Sequence, residues 1–183
     1  VAKGIERVEG RYFVHPFEGP SVALGTGTVG LEICEQVEDF DALVVPVGGG
    51  GLIGGIANAV KQLRPDSRIV GVEPEGADTM RRSFESGEPR SIDRVTTIAD
   101  SLGAPFALPY SFELTRQNVD ELVLVTDTQL RRSMGFLFRA MKLAGEPACA
   151  ASTAALRWPL REQLRGKHVV LVMCGSNIDW ATF

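Results

Sequence analysis

Four consecutive glycines, Gly48 to Gly51, stand between an apolar run, Val44-Val45-Pro46-Val47, and a helix-like run, Ile56 to Leu63. Glycine loses more backbone freedom on folding than any other residue and offers no side chain to pack. A run of glycines between two apolar elements therefore marks backbone that must come close to something. At a strand-to-helix junction the N–H groups converge, and the helix dipole adds partial positive charge. The ligand such a junction favours is a phosphate. A flexible linker is the competing explanation, but linkers of that kind rarely sit between two apolar elements.

The rest of the chain alternates strand-like and helix-like segments around this junction. Val1 to Gly10 reads as the tail of a helix, Arg11 to Val14 as a strand closed by His15-Pro16-Phe17, and Glu18-Gly19-Pro20 as a turn. A helix is expected to open at Gly25-Thr26-Gly27-Thr28 and to run to about Val37, with Val29, Ile33 and Val37 at four-residue spacing. Strands are predicted over Leu43–Val47, Arg68–Val72, Leu122–Val125 and Lys167–Met173. Helices are predicted after the glycines, over Gly76–Ser86, over Tyr110–Val119, from Thr126 to about Leu143, and over Ala148–Leu164 with an interruption at Pro159. Thr126 and Gln129 have the spacing of a capping box.

Continuous apolar strands alternating with helices predict an α/β fold: a three-layer arrangement, a mostly parallel sheet with helices on both faces. One lobe over residues 1–183 is the simplest organisation, with residues 1–12 as the remnant of a preceding domain or linker. In such a sheet ligands gather beyond the carboxyl ends of the strands. Two expected strands end in small or polar residues, at Gly48–Gly51 and at Cys174-Gly175-Ser176-Asn177.

Composition narrows the function class. A net charge of −4 without a basic cluster argues against nucleic acid as a partner. No apolar stretch reaches the ~20 residues of a membrane helix, and the N-terminus lacks a signal-peptide pattern. Three widely spaced cysteines argue against a disulfide framework and for a reducing cytoplasm, and two histidines leave little for a zinc site. Lacking an initiator Met, the chain is expected to be processed or cut from a longer one.

The glycines also fit the dinucleotide spacing, as Gly49-x-Gly51-x-x-Gly54. Glu73, which ends the next strand, lies about 20 residues past Gly54, where a ribose-binding acid is expected. Gly25-x-Gly27-x-x-Gly30 repeats the pattern with no comparable strand and acid after it. Spacing alone leaves a dinucleotide and a simpler phosphate cofactor equally open.

His15-Pro16-Phe17, Gly25-Thr26-Gly27-Thr28-Val29-Gly30-Leu31-Glu32, Pro46 to Leu52, Gly71-Val72-Glu73-Pro74, Thr97-Ile98-Ala99-Asp100, Glu146-Pro147-Ala148 and Cys174-Gly175-Ser176-Asn177-Ile178-Asp179 occur in this order. Jointly they resemble the serine/threonine dehydratases of the fold-type II pyridoxal-phosphate (PLP) enzymes, a family that includes serine racemase. The resemblance covers nearly the whole chain. It implies the large domain of that fold, incomplete, and PLP as cofactor. It places the PLP phosphate on Gly48, Gly49, Gly50, Gly51 and Leu52, Ser101 and Glu146 near the cofactor ring, and Cys174 against the pyridine nitrogen. It implies a lyase that removes water and then ammonia from an amino acid to give a 2-oxo acid.

The departures carry expectations of their own. The family's Schiff-base lysine and substrate loop belong to a segment outside this chain, so the catalytic set here is empty. None of Lys3, Lys61, Lys142 and Lys167 stands in the lysine motif. The fragment alone is expected to be inactive, to form a homo-oligomer such as a dimer, or to associate with a lysine-bearing segment. The alternatives are an NAD-binding oxidoreductase domain and a non-catalytic fragment that associates with another chain. Glu73, Ala77 and the position of Thr79 resemble a Mg²⁺ or Ca²⁺ site of some members. Thr79 stands there in place of an Asp, which removes a hard anionic ligand. The plainer assignment for Glu73 is a cap of the next helix or a solvated acid. His15 reads as a strand-end residue, and Cys34 and Cys149 as small core hydrophobes.

Overall fold

Strand β1, Ala42–Pro46, is buried along its whole length, which only a sheet covered on both faces allows. The computed structural model describes residues 2–179 and 181, with Lys3 by its backbone alone. β1 pairs in parallel with β2, Arg68–Pro74, on one side and with β4, Val169–Leu171, on the other. β3, Glu121–Val125, extends the sheet beyond β2, so the order is β3-β2-β1-β4. Val44 sits opposite Val70 and Leu171, and Val72 opposite Val123.

The two-residue period of the strands separates two cores. Leu43, Val45 and Val47 face one layer, with Ile53, Ile56 and Val60 of α3 (Gly51–Leu63) and Phe112 of α5 (Pro109–Asn118). Ala42, Val44, Val70 and Val72 face the other, with Leu130 of α6 (Asp127–Met141) and Ala151, Ala154 and Ala155 of α7 (Ala151–Arg157). The three-layer expectation holds. The capping box holds too: Thr126 Oγ1 accepts the Gln129 N–H at 3.1 Å, and the Thr126 N–H donates to Gln129 Oε1 at 2.9 Å.

Several boundaries differ for local reasons. α1 spans Ala2–Glu9, and Val1, expected to belong to it, lies outside the described residues. Residues 11–14 form no strand. α2 spans Pro20–Gln36, starting well before Gly25, because Gly19 (φ 99°) turns the chain and Pro20 opens the first turn. The expected helix over Gly76–Ser86 splits into a 3₁₀ turn, Glu75–Ala77, and α4, Thr79–Ser86. α7 stops before Pro159, which cannot continue a helix, and the last strand is shorter than expected.

The second glycine triplet has an architectural explanation. Gly27 and Gly30 are buried inside α2. A Cβ on Gly30 would lie 2.7 Å from the Ile56 carbonyl oxygen and 3.0 Å from Ala59 Cβ, and one on Gly27 3.5 Å from the Gly55 oxygen. These glycines let α2 touch α3 backbone to backbone, and no loop is there to hold a dinucleotide.

Candidate functional site

β1 delivers the chain to Gly48, and α3 begins three residues later. Gly50 is its cap, with φ 88°, a left-handed conformation that glycine adopts without penalty. The first bond of the helix ladder runs from the Gly54 N–H to the Gly50 carbonyl at 2.8 Å. The N–H groups of Gly51, Leu52 and Ile53 precede it and have no intrahelical acceptor. They stand at the positive end of α3, beside a cavity of about 350 Å³ lined by residues 48–53.

Gly48, Gly49, Gly50, Gly51, Leu52, Ser101, Glu146 and Cys174, though distant in sequence, all line this one cavity. Its position follows from the topology. The ladder between β1 and β4 continues to the Val172 N–H, which donates to the Val44 carbonyl at 3.0 Å, so Cys174 lies just past the carboxyl ends of both strands. The Glu146 N–H donates to the Gly175 carbonyl at 3.2 Å, which joins the segment before α7 to the end of β4. Ser101 lies in a 3₁₀ turn, Asp100–Leu102. Its loop is fastened to α6 where Asp127 accepts the Thr97 hydroxyl at 2.7 Å and the Ile98 N–H at 3.2 Å.

The glycines answer to the protein as well as to a ligand. A Cβ on Gly49 would lie 2.3 Å from the Phe17 ring, and one on Gly51 2.6 Å from the Phe17 backbone. A Cβ on Gly48 would come within 3.2 Å of Leu102 Cα. Phe17 was legible in sequence as the end of a strand and as part of the first shared motif, with no role attached. It forms the lid of the glycine loop, and no periodicity or spacing signals that.

No lysine, arginine or histidine borders the cavity among the described residues; its acids are Asp100 and Glu146. Its lining offers an anion dipoles and no cationic side chain. Glu146 is buried. The Cys174 thiol is pushed above its ordinary 9.0, first by burial and then by the Glu146 carboxylate. Cys149 is pushed up in the same way, by burial, then by Cys174 and Glu146. The cavity is thus lined by backbone N–H donors and by a thiol whose neutral form is favoured.

The lysines lie elsewhere. Lys61 Nζ donates to the Ser67 carbonyl at 2.9 Å and pairs with Asp120, Lys142 donates to the Arg139 carbonyl, and Lys167 pairs with Asp41. The Lys3 side chain is outside the described part. A wider cleft of about 550 Å³ lies between α6, α7 and β4, lined by Phe136, Trp158 and Met173 among others. It has no glycine backbone and no helix start, so it lacks the phosphate-binding groups of the smaller cavity.

Glu73 is fully buried and works as a cap. Its Oε1 accepts the Met80 N–H and its Oε2 the Arg81 N–H, both at 2.8 Å, at the start of α4. Burial pushes its carboxyl up to about 8, against the pull of those two donors. A ribose cannot reach it, which removes the acid that the dinucleotide reading needs. The side chains of the cation reading are engaged within the protein. Both Glu73 oxygens serve α4, and the Thr79 hydroxyl donates to the Ala104 carbonyl at 2.6 Å. Among the described residues no three His, Cys, Asp or Glu side chains are grouped to hold a metal.

The family pattern "Pyridoxal-phosphate dependent enzyme" matches residues 1–175. A phenylserine dehydratase of Ralstonia pickettii is 54% identical over 179 residues, covering 98% of this chain and 55% of the relative. The catabolic L-threonine dehydratase of Escherichia coli (strain K12) is 39% identical over 176 residues, covering 96% and 54%. The solved structure of maize serine racemase superposes with a TM-score of 0.93 at 33% identity, over 98% of this chain and 56% of the other. The chain therefore spans about half the length of the relatives it matches.

Proposed function

This chain belongs to the pyridoxal-phosphate dependent enzymes, and from that premise we propose that it forms the phosphate-binding part of a dehydratase for β-hydroxy α-amino acids. The observation that carries the reading is the convergence of the α3 N-terminus, Ser101, Glu146 and Cys174 on one cavity beyond the carboxyl ends of β1 and β4.

The residues present fit PLP. The glycine backbone presents N–H groups that lack intrahelical acceptors, beside the cavity that residues 48–53 line. Gly48, Gly49, Gly50, Gly51 and Leu52 would hold the phosphate, with the α3 dipole favouring its charge. Ser101 and Glu146 would flank the ring, and Cys174 would offer the pyridine nitrogen a neutral hydrogen-bonding group. When bound, PLP supplies an electron sink for the bonds of the substrate's α-carbon. A neutral partner at the pyridine nitrogen stabilises a protonated ring less than a carboxylate does, which favours prompt loss of the β-hydroxyl. Burial first, and then the nearby Glu146, favour the neutral form of Cys174. The family's amine is assigned to a segment beyond these residues, since no described lysine borders the cavity. The reaction is loss of water across the α- and β-carbons, followed by hydrolysis that takes up water and releases ammonia to leave a 2-oxo acid. Phenylserine, threonine and serine are the substrates to try, the first because the phenylserine dehydratase shares 54% identity. The whole enzyme is proposed to be cytoplasmic and oligomeric.

Calorimetry on the purified chain tests the site. PLP should bind, inorganic phosphate should compete with it, and pyridoxal, which lacks the phosphate, should bind far more weakly. Tight binding of NADH without binding of PLP would overturn the reading.

A further inference from the structure

The phosphate loop is held between two walls, and one carboxylate ties them together. The first wall is the segment His15–Glu18. The Phe17 ring lies against Gly49 and its backbone against Gly51, where a Cβ would come within 2.3 Å and 2.6 Å respectively. The Phe17 N–H donates to His15 Nδ1 at 3.3 Å, and the His15 and Phe17 rings meet edge to face with centroids 4.6 Å apart. The second wall is α5. Thr115 Oγ1 lies 3.4 Å from the Gly50 carbonyl and donates to the Ser111 carbonyl at 2.7 Å.

α5 opens after Leu108, whose side chain cannot cap it. Glu18 supplies the cap from 92 positions away: Oε1 accepts the Tyr110 N–H at 2.8 Å, and Oε2 accepts the Ser111 N–H at 3.0 Å. The Ser111 hydroxyl reaches both Glu18 Oε2, at 2.6 Å, and the Phe17 carbonyl, and its single proton serves one at a time. An acid at a helix start is favoured by the dipole and by the unpaired N–H groups. Here it also anchors the residue next to the one that covers the glycines.

We propose that Glu18 is a positioning residue of the phosphate site: by capping α5 it holds Phe17 down on Gly49 and Gly51 and keeps the N–H groups of residues 51–53 converged. Glycines have no side chains to fix their own geometry, so the loop's shape depends on what presses on it. The inference rests on the phosphate site proposed above.

Two measurements on the purified chain separate the possibilities. Amide hydrogen exchange over residues 46–53, without ligand, should be markedly faster in Glu18→Ala than in the wild type. Asp41→Ala removes a carboxylate that accepts the His168 N–H at 2.8 Å before the amino ends of β1 and β4, at the opposite end of the sheet from the cavity, and should leave that exchange unchanged. Calorimetry with inorganic phosphate and with PLP should show affinity lowered by about tenfold in Glu18→Ala and unaltered in Asp41→Ala, although both variants melt at a lower temperature. Wild-type exchange and affinity in Glu18→Ala would overturn the proposal, and so would an equal loss of affinity in Asp41→Ala. If the wild type bound neither PLP nor phosphate, the site itself would be misassigned, and the exchange measurement would still decide whether Glu18 holds the loop.

Discussion

Glu73 and Cys174 both have raised pKa values, and the consequences differ. Glu73 holds two backbone N–H groups at the start of α4 from a fully buried position. Glu73→Ala leaves both donors without a partner and should cost about 2–4 kcal/mol in denaturant unfolding. Its carboxyl is raised from 4.5 to about 8 in the folded chain. Between those pH values the folded state keeps a proton that the unfolded state has released. Raising the pH removes that proton at a cost, so the stability Glu73 contributes is fully present below 4.5 and declines through about 8. Unfolding free energies of wild type and Glu73→Gln, measured across that range, should draw together or cross in that direction. Cys174 is exposed, yet its thiol is raised above 9.0 by partial burial and by Glu146. The thiolate is the nucleophile, so Cys174 should alkylate with iodoacetamide more slowly at neutral pH than an unhindered cysteine, with the rate still climbing past pH 9.0. Peptide mass spectrometry reads this directly. Cys174→Ser keeps a neutral hydrogen-bonding group and should leave PLP affinity unchanged.

Among the elements, the α2–α3 contact is the one that glycines make possible. Gly30 has the Ile56 carbonyl 2.7 Å and Ala59 Cβ 3.0 Å from where its own Cβ would stand. A helix backbone cannot step aside, so Gly30→Ala should destabilise by about 1–3 kcal/mol. Gly25 is in the same helix with nothing within 4 Å of its Cβ position. Gly25→Ala should therefore stabilise by about 0.5–1 kcal/mol, the helix-propensity difference alone. Thermal melts of the two variants test the assignment: equal shifts would mean that α2 does not lie on α3 as described. The contact bears on the site because α3 carries the N–H groups at its N-terminus.

For the whole molecule, the chain supplies the groups proposed to bind the phosphate, and no described amine borders their cavity. Incubated with PLP and L-threonine, L-serine or phenylserine, the purified 183-residue chain should release little or no 2-oxo acid. Turnover at the rate of an intact dehydratase would show that the N–H cradle and Cys174 act with an amine from this chain. The open side of β4 and the wider cleft beside α7 belong to the same scale, since β4 is an edge strand with partly buried apolar residues.

The sequence by itself determined the parallel sheet, because continuous apolar strands between helices admit no other layering. It also determined the junction at Gly48–Gly51 and the capping box at Thr126, since both are local patterns with a local cause. Much of the cavity's wall was named from sequence only through the order of motifs shared with a family; spacing could not bring Ser101, Glu146 and Cys174 together. Tertiary structure alone decided the rest. It laid Gly27 and Gly30, in a helix already expected, against the backbone of α3, and it buried Glu73 completely at the start of α4. It laid Phe17 over the glycines and sent Glu18 to a helix start far along the chain. Each of these depends on a partner distant in sequence, and a glycine or an acid looks the same in sequence whether its partner is a ligand or another stretch of the same backbone.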